Sequence, residues 1–204
     1  MKRPVWAVVP AKSLGAGKSR LRPVLGDEDR AGLARRLVDH VLDVLGACPI
    51  DGVLVATDGD DVASLAAGHG AFVLRDRGEG SLADVVDGAL VEVTARGAAA
   101  ALVLMADLPL IEPADVAAVL AALEHHDVAL VRDKLGRHTN ALALAPPTAI
   151  KTCFGREESF AAHCAAARAA GLGVAVVDCE RIAFDVDVPA DHQKLTVQRR
   201  EAET

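Results

Sequence analysis

Along the chain, short continuous apolar runs alternate with longer amphipathic stretches, the pattern of βα repeats in which a sheet is covered on both faces. The runs at 5–9, 53–56, 72–74, 101–105, 128–131, 141–144, 174–177 and 182–184 predict strands. The stretches at 27–45, 60–67, 82–95, 113–123, 158–170 and 190–197 predict helices, and Pro113 suits a first helical position, where a missing N–H costs nothing. This alternation gives an α/β fold class. In the last third the pattern changes to NALALAPP, a helix, two short strands and a final helix, which predicts an added antiparallel strand or a small lobe. No repeat, low-complexity segment or dividing linker interrupts the chain, so 1–204 reads as one domain.

Composition narrows the function classes. Lys+Arg number 22 against 29 Asp+Glu, a net charge of −7, and aromatic residues make up only 2% of the chain, with no Tyr. Single-stranded nucleic acid is held on interleaved aromatics in a basic groove, and this acidic chain offers neither. No apolar run reaches the roughly 18 residues of a membrane span, and the charged start passes directly into a Pro-ended strand, so a cytoplasmic protein is expected. Cys48, Cys153, Cys164 and Cys179 are scattered without C-x-x-C spacing and read as reduced, mostly buried thiols. Periodicity in so Ala-rich a chain leaves oligomeric state open, a homodimer included.

Glycines cluster at 15–17 and 78–80, after predicted strands, where an α/β sheet presents its ligand crevice. The first of these loops carries Lys12, Lys18 and Arg20 around its glycines. Backbone N–H groups and cations together suit a triphosphate. Gly17-Lys18-Ser19 matches the end of a Walker A loop, but that pattern needs Gly at position 12, where a Lys stands, and Pro23 would interrupt the following helix. A P-loop is therefore disfavoured, and a mobile basic surface loop is the bland alternative.

Acidic residues recur at two distant places. Asp107 follows a buried strand, where a carboxylate either points into the crevice or caps the next helix. In FDVDVP, residues 184–189, extended backbone would put Asp185 and Asp187 on one face. A divalent cation between such carboxylates relieves their repulsion, and magnesium binds through one or two carboxylates plus substrate phosphates. The equal alternative is that Asp187 caps the final helix and Asp185 is solvated.

Taken together, these elements resemble the guanylyltransferases of coenzyme F(420) biosynthesis, which activate 2-phospho-L-lactate, phosphoenolpyruvate or 3-phospho-D-glycerate. The resemblance rests on VPAKSLGAGKSRL, GEGSLADVVDGAL, MADLPLI, HTNALALAPP, FGREESFAAHCAAA and FDVDVP, in that order from Val9 to Asp191. It implies a three-layer α-β-α nucleotidyltransferase of the GT-A type, similar to nucleotide-diphospho-sugar transferases, with a mixed, mainly parallel sheet. By position it implies Asp107, Asp185 and Asp187 as Mg²⁺ ligands. Lys12, Ser13, Lys18 and Arg20 become contacts to GTP, with Lys18, Arg20 and Asp107 catalytic. Gly80 and Ser81 lie against the nucleoside, although Ser81 also reads as an ordinary helix cap.

His138, Thr139, Asn140, Gly155 and Ser159 take the positions that hold the phospho-acid. There the Asn140 amide and the Thr139 hydroxyl and N–H are candidate donors, and Ser159 sits near a helix start that favours anions. Two features depart from the family pattern: Gly136-Arg137-His138-Thr139-Asn140 replaces Gly-Gly-Thr-Asn, and the loop 154–160 is one residue longer. His138 then either hydrogen-bonds an additional hydroxyl, which favours a glycerate, or is a surface histidine. His125-His126 reads as a favourable contact with a helix C-terminus. Within the fold, a molybdopterin or sugar-nucleotide transferase is the alternative. From another class, the alternative is a nucleotide-binding regulator.

Overall fold

The computed structural model describes residues 3–202. Its strands are β1 (Val5–Pro10), β2 (Gly52–Thr57), β3 (Phe72–Arg75), β4 (Ala100–Leu104), β5 (Val128–Arg132), β6 (Thr139–Leu144) and β7 (Val174–Val176). They form one sheet in the order β3-β2-β1-β4-β6-β5-β7. All run in one direction except β6, which is antiparallel to both β4 and β5. This is the mixed, mainly parallel sheet, and β6 is the antiparallel strand expected in the last third.

Strand residues alternate between two cores. On β4, Ala100, Leu102 and Leu104 enter one cluster, while Ala101 and Val103 enter the other. The first cluster is covered by α1 (Asp27–Gly46), α2 (Asp60–Gly68) and α4 (Pro113–Ala122), the second by α3 (Leu82–Ala95) and α5 (Ser159–Ala169). Small and aliphatic side chains allow this close approach of helices to sheet. Covering both faces explains why β4 and residues 141–144 of β6 are apolar without alternation and wholly buried.

Helix starts follow local rules. Ser81 and Asp84 form a reciprocal capping box at α3, and Glu112 with Asp115 forms another at α4, with Pro113 in its first turn. The His126 imidazole hydrogen-bonds to the Ala122 carbonyl at the end of α4. Cys48, Cys153 and Cys164 are buried, Cys179 is half-buried, and all four are free thiols. Among the described residues no helix is long and apolar enough to cross a membrane.

One predicted strand is not formed. Residues 182–184 belong to a short helix, α6 (Glu180–Ala183), and its extended C-cap, Phe184. The outer side of β5 is already paired with β7, so this segment inserts Ile182 into the core instead of joining the sheet. A third cluster follows, in which Leu21, Leu33, Leu37, Phe184, Val186 and Leu195 join the first loop and α1 to α7 (Pro189–Ala202).

Candidate active site

The loop after β1 is held from two sides. The Ser13 N–H donates to Asp58 at 2.7 Å and the Leu14 N–H to Asp61 at 2.9 Å. A Cβ on Gly59 would lie 2.6 Å from the Ser13 Cβ, so only glycine lets the β2–α2 turn approach this closely. On the other side the buried Arg30 donates to the Gly17 carbonyl at 2.9 Å. Lys18 then adopts a left-handed conformation, φ 56°, and begins a three-residue 3-10 helix, Ser19–Leu21. A P-loop would open directly into a long helix, whereas α1 starts only at Asp27.

That conformation turns the Lys18 side chain, 10% exposed, toward carboxylates. Its Nζ lies 2.6 Å from Asp107 Oδ2 and 3.2 Å from Asp187 Oδ1. Burial alone would lower the Lys18 pKa, but Asp107 and Asp187 outweigh it and hold the ammonium above its ordinary value. Arg20, 72% exposed, reaches Asp187 at 3.8 Å.

Asp107, Asp185 and Asp187 converge, each offering an oxygen within 4.8 Å of the others. Val186 is the cause: its fully buried side chain anchors the segment in the third cluster and leaves the flanking aspartates on the opposite side. The Val186 N–H donates to the Asp107 carbonyl, joining the two acidic segments. Neither alternative role fits. α4 is capped by Glu112 and Asp115, and at the start of α7 it is Asp191 that accepts the Asp187 and Val188 N–H groups. Burial and the Asp107 charge raise the Asp185 pKa, opposed by Lys134. Lys134 bridges Asp185 and Asp191, with Nζ 3.2 Å from one carboxylate and 2.9 Å from the other.

Two cavities meet at this cluster. One, of about 420 Å³, runs under the first loop past Lys12, Gly17, Asp58, Asp76 and Gly80. The other, of about 490 Å³, is lined by Arg20, His138, Thr139, Asn140, Gly155 and Ser159. Lys12, Lys18, Asp107 and Asp187 line both. Gly155 has φ 82°, which suits glycine at that turn.

Several sequence expectations need correction. Ser13 and Ser81 line neither cavity. The Ser13 N–H is committed to Asp58, and the Ser81 hydroxyl and N–H to Asp84, so the helix-cap reading of Ser81 holds. The Asn140 amide donates to the Ile182 and Ala183 carbonyls, so it fixes α6 and is not a free donor. The Thr139 N–H donates to Ser159 Oγ at 3.1 Å. His138, with its side chain 42% exposed, stands at the rim with Nδ1 3.3 Å from Asp133.

Asp58, Asp76, Arg30, Lys134 and His163 were not expected. Asp58 and Asp76 follow the ends of β2 and β3, so the strand-end rule that selected Asp107 would have found them.

Comparison with known proteins gives the family and a likeness of fold. Residues 5–204 match the family described as guanylyl transferase CofC like. The phosphoenolpyruvate guanylyltransferase of Sphaerobacter thermophilus is 40% identical over 190 residues, 93% of this chain and 91% of that protein. The enzyme of the same name from Rubrobacter xylanophilus is 42% identical over 195 residues, 94% and 93% of the two chains. A putative nucleotide-diphospho-sugar transferase from Desulfovibrio desulfuricans superposes with TM-score 0.79 at 19% identity, covering 95% of this chain and 87% of that one, a likeness of fold.

Proposed function

Since the chain belongs to the CofC-like guanylyl transferase family and is a nucleotidyltransferase, we propose that it transfers GMP from GTP to the phosphate of a three-carbon phospho-acid, releasing pyrophosphate, within coenzyme F(420) biosynthesis. Phosphoenolpyruvate is the first-choice acceptor, from the names of the relatives; 3-phospho-D-glycerate and 2-phospho-L-lactate are the others. The observation that carries the reading is the meeting of two cavities at Lys18, Asp107 and Asp187. A transferase needs this junction, because donor and acceptor must meet at one charged point, while a binding protein needs only one cavity.

The cavity under the first loop takes GTP. Lys12 and Lys18 contact the triphosphate, Arg20 reaches it from the acceptor side of the junction, and Gly80 lies against the nucleoside. With no Tyr and few aromatics, guanine is held by backbone, aliphatic and polar groups. Asp107, Asp185 and Asp187 converge as an all-oxygen set suited to Mg²⁺, while Lys18 and Lys134 balance part of their charge. When bound, Mg²⁺ supplies charge neutralisation to the triphosphate.

The second cavity takes the acid, between Thr139, Gly155 and Ser159 with His138 at the rim. Its phosphate, with a second pKa near ~6, is already mostly dianionic at neutral pH. An oxygen of that phosphate forms the new bond to the α-phosphorus of GTP as the bond to pyrophosphate breaks. No general base is required, and the chain contributes alignment and cations. Incubation with GTP, Mg²⁺ and each of the three acids should release pyrophosphate with at least one of them, and chelation with EDTA should stop it. Release with none refutes the reading.

A further inference from the structure

Behind the acceptor cavity lies a histidine with no exposed surface. His163, on the second turn of α5, joins three segments: the start of β6, the loop 152–158 and its own helix. The Cys153 N–H donates to its Nε2 at 2.7 Å. That bond makes Nε2 an acceptor, so the single ring proton of the neutral imidazole lies on Nδ1. Nδ1 is 2.9 Å from Thr139 Oγ1, the ring also meets the Ser159 backbone, and because Nδ1 carries the ring proton the hydroxyl can only accept from it. The edge of Phe154 packs against the ring, centroids 4.7 Å apart, and holds its orientation.

A hydroxyl that accepts from His163 has its own hydrogen left to give. Among the described residues no second partner takes it, and Thr139 lines the acceptor cavity. Ser159 is in the same state, since its Oγ accepts the Thr139 N–H.

We infer that His163 is a positioning residue for the acceptor: its Nδ1–H fixes the Thr139 hydroxyl as a hydrogen donor aimed into the cavity, which selects phosphate or carboxylate oxygens. The inference rests on the assignment of this cavity to the phospho-acid and adds the residue that sets its donor pattern. The phosphate and carboxylate of such an acid present only acceptors at neutral pH, so hydroxyls already committed as acceptors within the protein are oriented before they arrive. Burial holds the His163 pKa down to about 4, so the ring stays neutral and acts through hydrogen-bond direction.

Two isosteres separate this role from plain support of the fold. His163→Gln keeps an acceptor at the Nε2 position for Cys153 but gives Thr139 no donor. It should raise the KM of the phospho-acid about tenfold or more, with GTP KM and Tm near wild type. His163→Asn offers an N–H at the Nδ1 position and leaves the Cys153 N–H unpaired. It should keep the acid KM within about threefold of wild type while lowering Tm. Thr139→Val should show the Gln defect, and the double variant should add nothing to it.

An acid KM unchanged in His163→Gln, or one that follows Tm across the two variants, overturns the proposal and leaves the guanylyltransferase reading standing. A wild type inactive with all three acids overturns both. Independently of activity, ¹⁵N NMR of the wild-type imidazole should show the Nδ1–H tautomer, and the Nε2–H tautomer overturns the proposal.

Discussion

The Lys18 ammonium stands 2.6 Å from the Asp107 carboxylate and also faces Asp187, so a side-chain cation already neutralises part of the acidic cluster. A divalent ion entering beside it meets like charge unless Lys18 turns to the triphosphate. Lys18→Met should therefore bind Mn²⁺ more tightly than wild type when no nucleotide is present, and should lose turnover by about 10²-fold or more. Calorimetric titration reads the first effect, and an unchanged or weaker affinity would show that the two cations do not compete.

Asp107 belongs to both cavities and to the acidic cluster. Asp107→Asn preserves shape and removes charge, so the fold should persist while kcat falls by about 10²-fold or more. Near-normal turnover at an unchanged Tm would remove Asp107 from the proposed metal site.

Arg30 is 2% exposed and spends its donors on the Gly17 carbonyl and on Asp27, while its Nε has no partner among the described residues. Arg30→Met should destabilise the protein by about 1–3 kcal/mol and raise the GTP KM, because the turn that presents Lys18 loses its anchor. The acid KM should not move. Steady-state kinetics with each substrate varied in turn tests the separation.

Stability should fall in acid in two stages. The His163 pKa is lowered from 6.5 to about 4, with burial the main cause, so between those values the unfolded chain binds a proton that the folded one refuses. Its contribution is fully present above pH 6.5 and is lost as pH falls toward 4, about 3 kcal/mol in all. Asp115 is also shifted: burial opposes, but hydrogen bonds from Arg181 and the Glu112 N–H prevail and hold its pKa below the usual carboxylate value. Its share is present above pH 3.8 and disappears below that. Chemical denaturation between pH 7 and 4 should show His163→Gln losing less stability than wild type.

The sheet was legible wherever burial on both faces produced an unbroken apolar run, as in β4 and β6. Ile182 was not, because three apolar residues suit a strand or a helical turn equally, and only the occupied side of β5 decides between them. The acidic cluster could be read across 80 residues of separation because each member obeys a local rule, a strand end for Asp107 and alternation about Val186 for the other two. Thr139 and Asn140 were legible in place but not in direction, since their partners, Ser159, His163 and Ile182, come from later chain. His163 carried no signal of its own. In an Ala-rich helix a lone histidine acquires meaning only from the Cys153 N–H that meets it.

The reversed strand has a consequence for how such an enzyme can diversify. Parallel strands deliver only their final residues to the ligand edge, but β6 runs the other way and delivers its first, so Thr139 arrives next to the end of β4. The turn residues 135–138 and the loop residues 154–158 can therefore drift, lengthen or exchange, provided that Lys134 keeps its bridge to Asp185 and Asp191 and Cys153 its bond to His163. Under the proposed reaction, a change of acceptor then requires editing two short connections, leaving Lys18 and the acidic cluster untouched.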